Sequence, residues 1–345
     1  MKRPGLRALF AVAIGLTMSA VVPAAYAGKT LDSIKSRGRL VCGVHTVLAG
    51  FSAADATGRW VGLDVDVCQA LAAAVLGDGN KVTYVPLTAQ QRFTALQSGE
   101  IDVLSRNTTF SLARDASMGL HQTVVTFYDG QGFMVPKGSP VRNVRQLKGK
   151  TVCVQSGTTN AKNLEDYSQA NGLAIKSVVF ERVDTSVAAY VQGRCAAYTT
   201  DASGLASIRH KGGLALASHI ILPELISKEP LGPMVRRGDD EWFAMVKWVI
   251  YGLIEAEEKG VTQANVLQLK AESTDPVVQR LLGTQDQTGK LLGLDADWMV
   301  RALQATGNYG EIFERNVGAK SDLGLPRGLN NLWKKGGLMY AYPLQ

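Results

Sequence analysis

Ala95-Leu-Gln-Ser-Gly-Glu-Ile-Asp-Val-Leu-Ser-Arg-Asn-Thr-Thr-Phe-Ser-Leu-Ala-Arg114 is the stretch whose reading decides the fold. Gly99 suits the left-handed position that closes a helix. Ile101–Leu104 is a short apolar run that reads as a buried strand. Ser105 onward then lies at that strand's carboxyl end, where open α/β sheets bind ligands. Arg114 lies five residues beyond Thr109, so a turn of chain aims both at one anion. A guanidinium gives a carboxylate two parallel hydrogen bonds, and a hydroxyl or the Asn107 amide takes a remaining lone pair. Read alone, the stretch is more simply a polar loop with a solvated arginine. A second stretch changes that weighting. Ala189-Tyr-Val-Gln-Gly-Arg-Cys-Ala-Ala-Tyr-Thr-Thr-Asp201 repeats the order of helix end, glycine, strand and polar tip, with Asn107 and Asp201 at matching places. One supersecondary unit is used twice. One tip leads to a cation, Arg114, and the other carries an anion, Asp201. Facing each other, they suit a zwitterion.

Working outward, strands alternate with helices on both sides, which indicates a parallel-rich α/β sheet. Before the first unit come a strand at Leu40–Val44, a loop His45–Gly58 containing Phe51, and a helix whose positions Cys68, Leu71, Ala72 and Val75 follow helical spacing, with Asp64 as its N-cap. Lys81–Leu87 is a strand and Gln90–Ser98 a helix. Strands Val124–Phe127 and Gly132–Val135 follow, broken at Asp129-Gly130. Thr151–Val154, Val178–Glu181 and Ala196–Thr200 are strands of a second lobe, with helices at Ala161–Gln169 and Ser186–Gln192. Ser156-Gly-Thr-Thr159 at a helix start exposes backbone N–H groups and a positive dipole end, a ready anion site; it lacks the lysine and spacing of a P-loop. Ile220–Leu222 and Met234-Val235 are strands leading back. The chain thus divides into a leader 1–27, a first lobe from 28–131 and 224–345, and a second lobe 132–223. Crossings near 127–133 and 222–235 restrict motion to bending about one axis. The last third is helical, with an apolar stripe through Trp242, Val246, Val249, Ile250, Leu253 and Ile254, a helix start at Asp275-Pro276, and a tail, Leu332–Gln345, that packs on the surface.

Met1–Ala27 has the pattern of a secretory leader: Lys2, Arg3 and Arg7, an apolar run too short for a comfortable span, and Ala25-Tyr-Ala27 as a cleavage site. The mature chain is expected to begin at Gly28, with no later apolar stretch of membrane-helix length. Of the 345 residues, 46% are hydrophobic and 19% charged, enough for a large core. Losing the leader's three positive charges takes the formal net charge from +7 to +4, too mild to argue for nucleic acid. Four cysteines in an exported chain permit three disulfide connectivities. Placement of Cys42 and Cys68 in one lobe and Cys153 and Cys195 in the other favours those two pairs over four buried thiols. No spacing of Cys, His, Asp or Glu suggests a metal, no motif suggests a cofactor, and the four histidines show no catalytic pattern. His45 lies in the ligand-side loop. His45 and Arg92 are the cations placed nearest the side-chain end of a bound zwitterion.

Gly62-Leu-Asp-Val-Asp66, Ala95–Asp102, Thr109 to Arg114, Val152–Thr159, Gly193–Asp201 and Ser227-Lys-Glu-Pro-Leu-Gly-Pro233, in this order and spacing, resemble the extracytoplasmic solute-binding proteins of polar amino-acid ABC importers, and more narrowly the general L-amino-acid binding proteins of Gram-negative bacteria. The resemblance implies a two-lobe periplasmic binding protein of type II, a free L-amino acid as ligand, an inner-membrane permease with its ATPase as partner, a periplasmic location and a monomer. It implies that Arg114, with Thr109 and Thr159, binds the α-carboxylate, that Asp201 binds the α-ammonium, and that Phe51 covers the ligand. Two positions depart from the pattern: Leu48 stands where many relatives carry an aromatic, and Ala196 where an aspartate is frequent. An enzyme on the same fold, dehydratase-like, and a receptor that docks on a chemosensor are the alternatives.

Overall fold

The computed structural model describes residues 28–345; the expected leader and its cleavage after Ala27 lie outside them. Two five-stranded sheets carry the molecule. In the first, Leu40–His45 runs parallel between Val82–Leu87 and Val103–Leu104; Met234–Arg236 then pairs antiparallel with Val103–Leu104, and Leu120–Gln122 closes the edge. In the second, Thr151–Gln155 runs parallel between Lys176–Phe180 and Ala197–Asp201, with Gln131–Val135 and Ile220–Ile221 antiparallel beyond. Strand order and direction match place for place, so the repeat read in the sequence is a repeat of whole sheets. Val103–Leu104 and Ala197–Asp201 hold corresponding positions. The turns before them contain Gly99 and Gly193, both left-handed at φ +83° and +79°, where a side chain would be strained.

The crossings between the sheets are paired with each other. Phe127–Asp129 runs antiparallel to Glu229–Leu231, with Asp129 opposite Glu229. The strand expected at Val124–Phe127 is displaced: residues 120–122 and 127–129 are the extended segments. Pro233 has no N–H to offer a continuous ladder, and Thr123 and Thr126 donate to the Pro233 and Leu231 carbonyls, each from its N–H and its hydroxyl. Asn330, near the C-terminal end, donates to and accepts from the backbone of Tyr128 and so fastens the last segment to this ribbon.

Helix Leu63–Leu76 starts two residues earlier than an Asp64 cap would place it. Gly62 precedes it at φ +132°, and a Cβ there would lie 2.2 Å from the Phe51 carbonyl oxygen. Asp64 lies instead inside the first turn, buried, accepting from the Asn107 N–H at 2.9 Å and facing the Ser105 hydroxyl at 3.4 Å. The Cys42–Cys68 and Cys153–Cys195 disulfides are formed, the first tying the strand Leu40–His45 to the helix Leu63–Leu76, the second tying the strand Thr151–Gln155 to the residues just before Ala197–Asp201. Helix Ala202–Lys211 follows Asp201 directly and was not anticipated. The C-terminal helices, led by Asp240–Glu258 with all six positions of its apolar stripe buried, share one core with the first sheet. Asp275 caps the helix Pro276–Leu281 as expected. Among the described residues no helix is long and apolar enough to cross a membrane.

Candidate ligand-binding site

The carboxyl ends of the central strands of both sheets face one cleft, so their polar tips meet. A cavity of about 40 Å³ lies there. His45, Arg92, Asn107 and Thr109 line it from the first sheet, Thr159 and Asp201 from the second. Six of the eight residues expected at the site are therefore brought together. The lobes touch across the cleft: Gln90 Nε2 donates to Ser156 Oγ at 2.9 Å, and Arg92 Nη2 to the Gly157 carbonyl at 3.2 Å.

Two of the eight do not line the cavity. Phe51 is 1% exposed, its ring edge-on to Phe127 at 5.1 Å within the apolar core. Leu48 lines the cavity where the aromatic cover was expected. Arg114 lies behind the wall, buried, with Nη1 donating to the Thr109 carbonyl at 2.7 Å and its guanidinium over the Phe93 ring at 5.1 Å.

The electrostatics of the site are set by burial. Arg92, Arg106 and Arg114 are all buried, and among the described residues none has a carboxylate within 4.0 Å. Arg92 donates to Gly157 and weakly to Thr108, and its Nε has no partner. Burial lowers its affinity for a proton well below the ordinary value, and the neighbouring charges of Arg106 and Arg114 add to this. Arg106 donates from Nε to the Leu87 carbonyl at 2.9 Å and is lowered by burial to about 10. A cation held this way is stabilised by any anion that enters. His45 accepts the Val47 N–H at Nδ1, and burial, with Arg106 and Arg92 nearby, keeps its pKa well below the usual value. It is a neutral hydrogen-bonding group in the wall rather than a titrating one.

On the opposite side, Asp201 Oδ1 accepts from Asn160 Nδ2 at 2.8 Å. Burial raises its pKa to about 8, helped by the charges of Asp129 and Glu229. Asp129 is raised by burial to about 6. Glu229, 1% exposed, accepts four bonds: Thr109 and Thr159 hydroxyls at 2.6 and 2.9 Å on Oε2, Asn163 and Ser227 at 2.6 Å on Oε1. Three carboxyl groups thus gather beside three arginines without pairing with them. That arrangement stabilises an incoming molecule that carries both charges.

Arg106, Glu229 and Asn160 were not singled out from the sequence. Arg106 stands beside Asn107 at the strand tip, and that position was its signal. Glu229 lies in Ser227–Pro233, a run that reads as a crossing and gives no hint that its carboxylate turns back into the cleft.

Two lobes of one topology, joined by a paired hinge and meeting on a charge-lined cavity, are the architecture of a clamp-type solute-binding protein. The chain belongs to the bacterial extracellular solute-binding proteins, family 3, whose model matches residues 40–264. It is 53% identical over 98% of its length, and 99% of the relative's, to the general L-amino acid-binding periplasmic protein AapJ of Rhizobium johnstonii. It is 50% identical over 96% of its length, and 97% of the relative's, to the glutamate/glutamine/aspartate/asparagine-binding protein BztA of Rhodobacter capsulatus. Among solved structures, an ABC transporter periplasmic binding protein from Brucella ovis with glutathione bound shares 49% identity and a TM-score of 0.89, covering 92% of this chain and 99% of that one.

Proposed function

We infer that this protein binds free L-amino acids between its lobes in the periplasm and delivers them to the permease and ATPase of an inner-membrane ABC importer. The observation that carries the reading is the set of buried, unpaired arginines on one face of the cavity and the buried Asp201 on the other. A zwitterion completes both at once, and no single-charged ligand does. The named ligands of the relatives from Rhizobium and Rhodobacter support the same class. The lobes are 28–131 with 224–345, and 132–223; residues 1–27 are removed on export, and the mature chain acts as a monomer that binds without catalysis.

Within this reading, Arg114 pairs with the α-carboxylate once the ligand draws it forward past Thr109, and Asp201 takes the α-ammonium. Thr109 and Thr159 give their protons to Glu229, so their oxygens face the cleft as acceptors, suited to the ammonium rather than to the α-carboxylate expected of them. Leu48 forms the apolar wall. Arg92 and Arg106 face the side-chain end, which favours acids and amides. A panel of the twenty L-amino acids tests the function: several should raise the midpoint of thermal unfolding, and a flat panel overturns it. Arg114→Ala tests the head group. Loss of a buried partner costs about 2–5 kcal/mol, so calorimetry showing near-native affinity removes Arg114 from the site.

A further inference from the structure

The inner cavity does not end at its own walls. Arg106, Gln155, Val183 and Ile208 line it and also line a neighbouring cavity of about 510 Å³. The inner space is little larger than the ~30 Å³ share of one water. The outer one falls in the range of about 300–1,000 Å³ typical of small-molecule sites. Both lobes contribute to it, Val47 and Thr88 from the first and the helix Val183–Val191 from the second.

Its chemistry is distinct from a plain cleft mouth. Arg106, Arg182 and Lys211 line it with a single carboxylate, Asp184. Asp184 is already held by Arg182 through two bonds, at 3.0 and 2.7 Å. Arg106 and Lys211 have no carboxylate within 4.0 Å among the described residues. The chamber is therefore net positive. Val187 and Val191 give the chamber apolar lining, and Gln155, which it shares with the inner cavity, gives its Nε2 to the Glu181 carbonyl at 3.0 Å and leaves its Oε1 to accept.

We propose that the outer chamber is a second subsite, which takes the far end of an amino acid whose side chain is extended through an amide to a terminal carboxylate; a γ-glutamyl dipeptide is the simplest member of the class. The proposal rests on the amino-acid reading above. The head must keep its α-carboxylate and α-ammonium free for Arg114 and Asp201, which an α-linked peptide cannot do, because one of its two charges has become an amide. Linkage through the side chain preserves both. The stem then passes Val187 and Val191, the amide N–H meets Gln155 Oε1, and the terminal carboxylate meets Lys211 and Arg182.

Calorimetry on the mature protein with L-glutamate and with γ-L-glutamylglycine tests this, together with the double variant Arg182→Gln, Lys211→Gln. Both ligands should bind the wild-type protein. The double variant should bind γ-L-glutamylglycine at least tenfold more weakly while its affinity for glutamate changes less than twofold, which also shows that it is folded. Binding of glutamate without γ-L-glutamylglycine overturns the second subsite and leaves the amino-acid function standing. Equal loss of both ligands in the double variant overturns it as well. If neither ligand nor any free L-amino acid binds, the function and the subsite fall together.

Discussion

Thr109 and Thr159, one from each side of the cleft, hold their hydroxyl oxygens 3.3 Å apart and both donate to Glu229 Oε2. Glu229 belongs to the hinge ribbon, where it stands opposite Asp129. One carboxylate on the hinge therefore orients the two hydroxyls that meet across the cleft. A hydroxyl has one proton to give, so both threonines present lone pairs to a ligand. Directly opposed like charges in a ribbon are unfavourable, and on the proposed reading an ammonium beside Asp201 relieves that repulsion. On the proposed reading, ligand charge and hinge geometry are coupled through these three carboxyl groups.

Glu229→Gln should weaken ligand binding. The amide keeps the shape but replaces one accepting oxygen by a donor, leaving two of the four donors around it without a partner. Buried unsatisfied groups cost about 1–3 kcal/mol each. Calorimetry should show weaker affinity, and unliganded thermal unfolding should come at a lower temperature. Unchanged values in both would remove Glu229 from the coupling.

Gly157→Ala should hinder closure. Gly157 has φ +71°, and a Cβ there would lie 2.9 Å from Gln90 Cγ and 3.3 Å from the backbone of Ala89 and Gln90 on the facing lobe. The left-handed conformation alone costs a non-glycine residue about 1–2 kcal/mol. Small-angle scattering of the wild-type protein should give a smaller radius of gyration with saturating ligand, because closure is driven by the contacts that the ligand makes to both lobes. The variant should keep a larger radius and a weaker affinity. Equal compaction of the two proteins would contradict this.

Arg92→Met should change selectivity more than overall binding. Arg92 is a buried guanidinium with an unpartnered Nε that lines the cavity, at what we propose is the side-chain end. An acidic side chain pairs with it, whereas a methyl leaves it as it was. Removing it should lower affinity for glutamate at least tenfold and for alanine less than threefold. Parallel loss for the two ligands would place Arg92 at the head group instead.

The duplicated unit was legible because it combines two signals that survive in any context, a left-handed glycine after a helix and an apolar run of strand length. Asn107 and Asp201 inherit their places at the cleft from that unit, and both line the cavity. Phe51 and Leu48 show the limit. Both are large apolar residues in one loop, and which of them lines the cleft depends on the path of the loop backbone, which composition does not encode. Glu229 is invisible for a related reason. Besides its neighbour Ser227, its donors come from positions 109, 159 and 163, which only the fold brings together.

Binding should release a proton at neutral pH, and affinity should rise with pH. Without ligand, burial holds the Asp201 pKa at about 8, with Asp129 and Glu229 adding to the rise and Asn160 and Arg92 opposing it. At pH 7 the carboxyl is then mostly protonated, by about nine-tenths on simple titration. A ligand ammonium favours the ionised form and lowers the pKa in the complex. Between that lower value and about 8 the free protein holds more protons than the complex, so affinity must climb by at most about tenfold per pH unit. Above about 8 this contribution is flat. Because Asp129 shares the site, the titration belongs to the pair. The same raised pKa acts on folding in the opposite direction: the folded state holds a proton that the unfolded chain loses near pH 4, so this group's contribution to unliganded stability falls as pH rises from about 4 to 8. Calorimetry at pH 7 in two buffers of different ionisation enthalpy should show heats that differ in proportion to the proton released. Asp201→Asn should abolish the difference along with most of the affinity. Heats independent of buffer, with an affinity constant from pH 6 to 8, would mean that Asp201 is already ionised in the free protein.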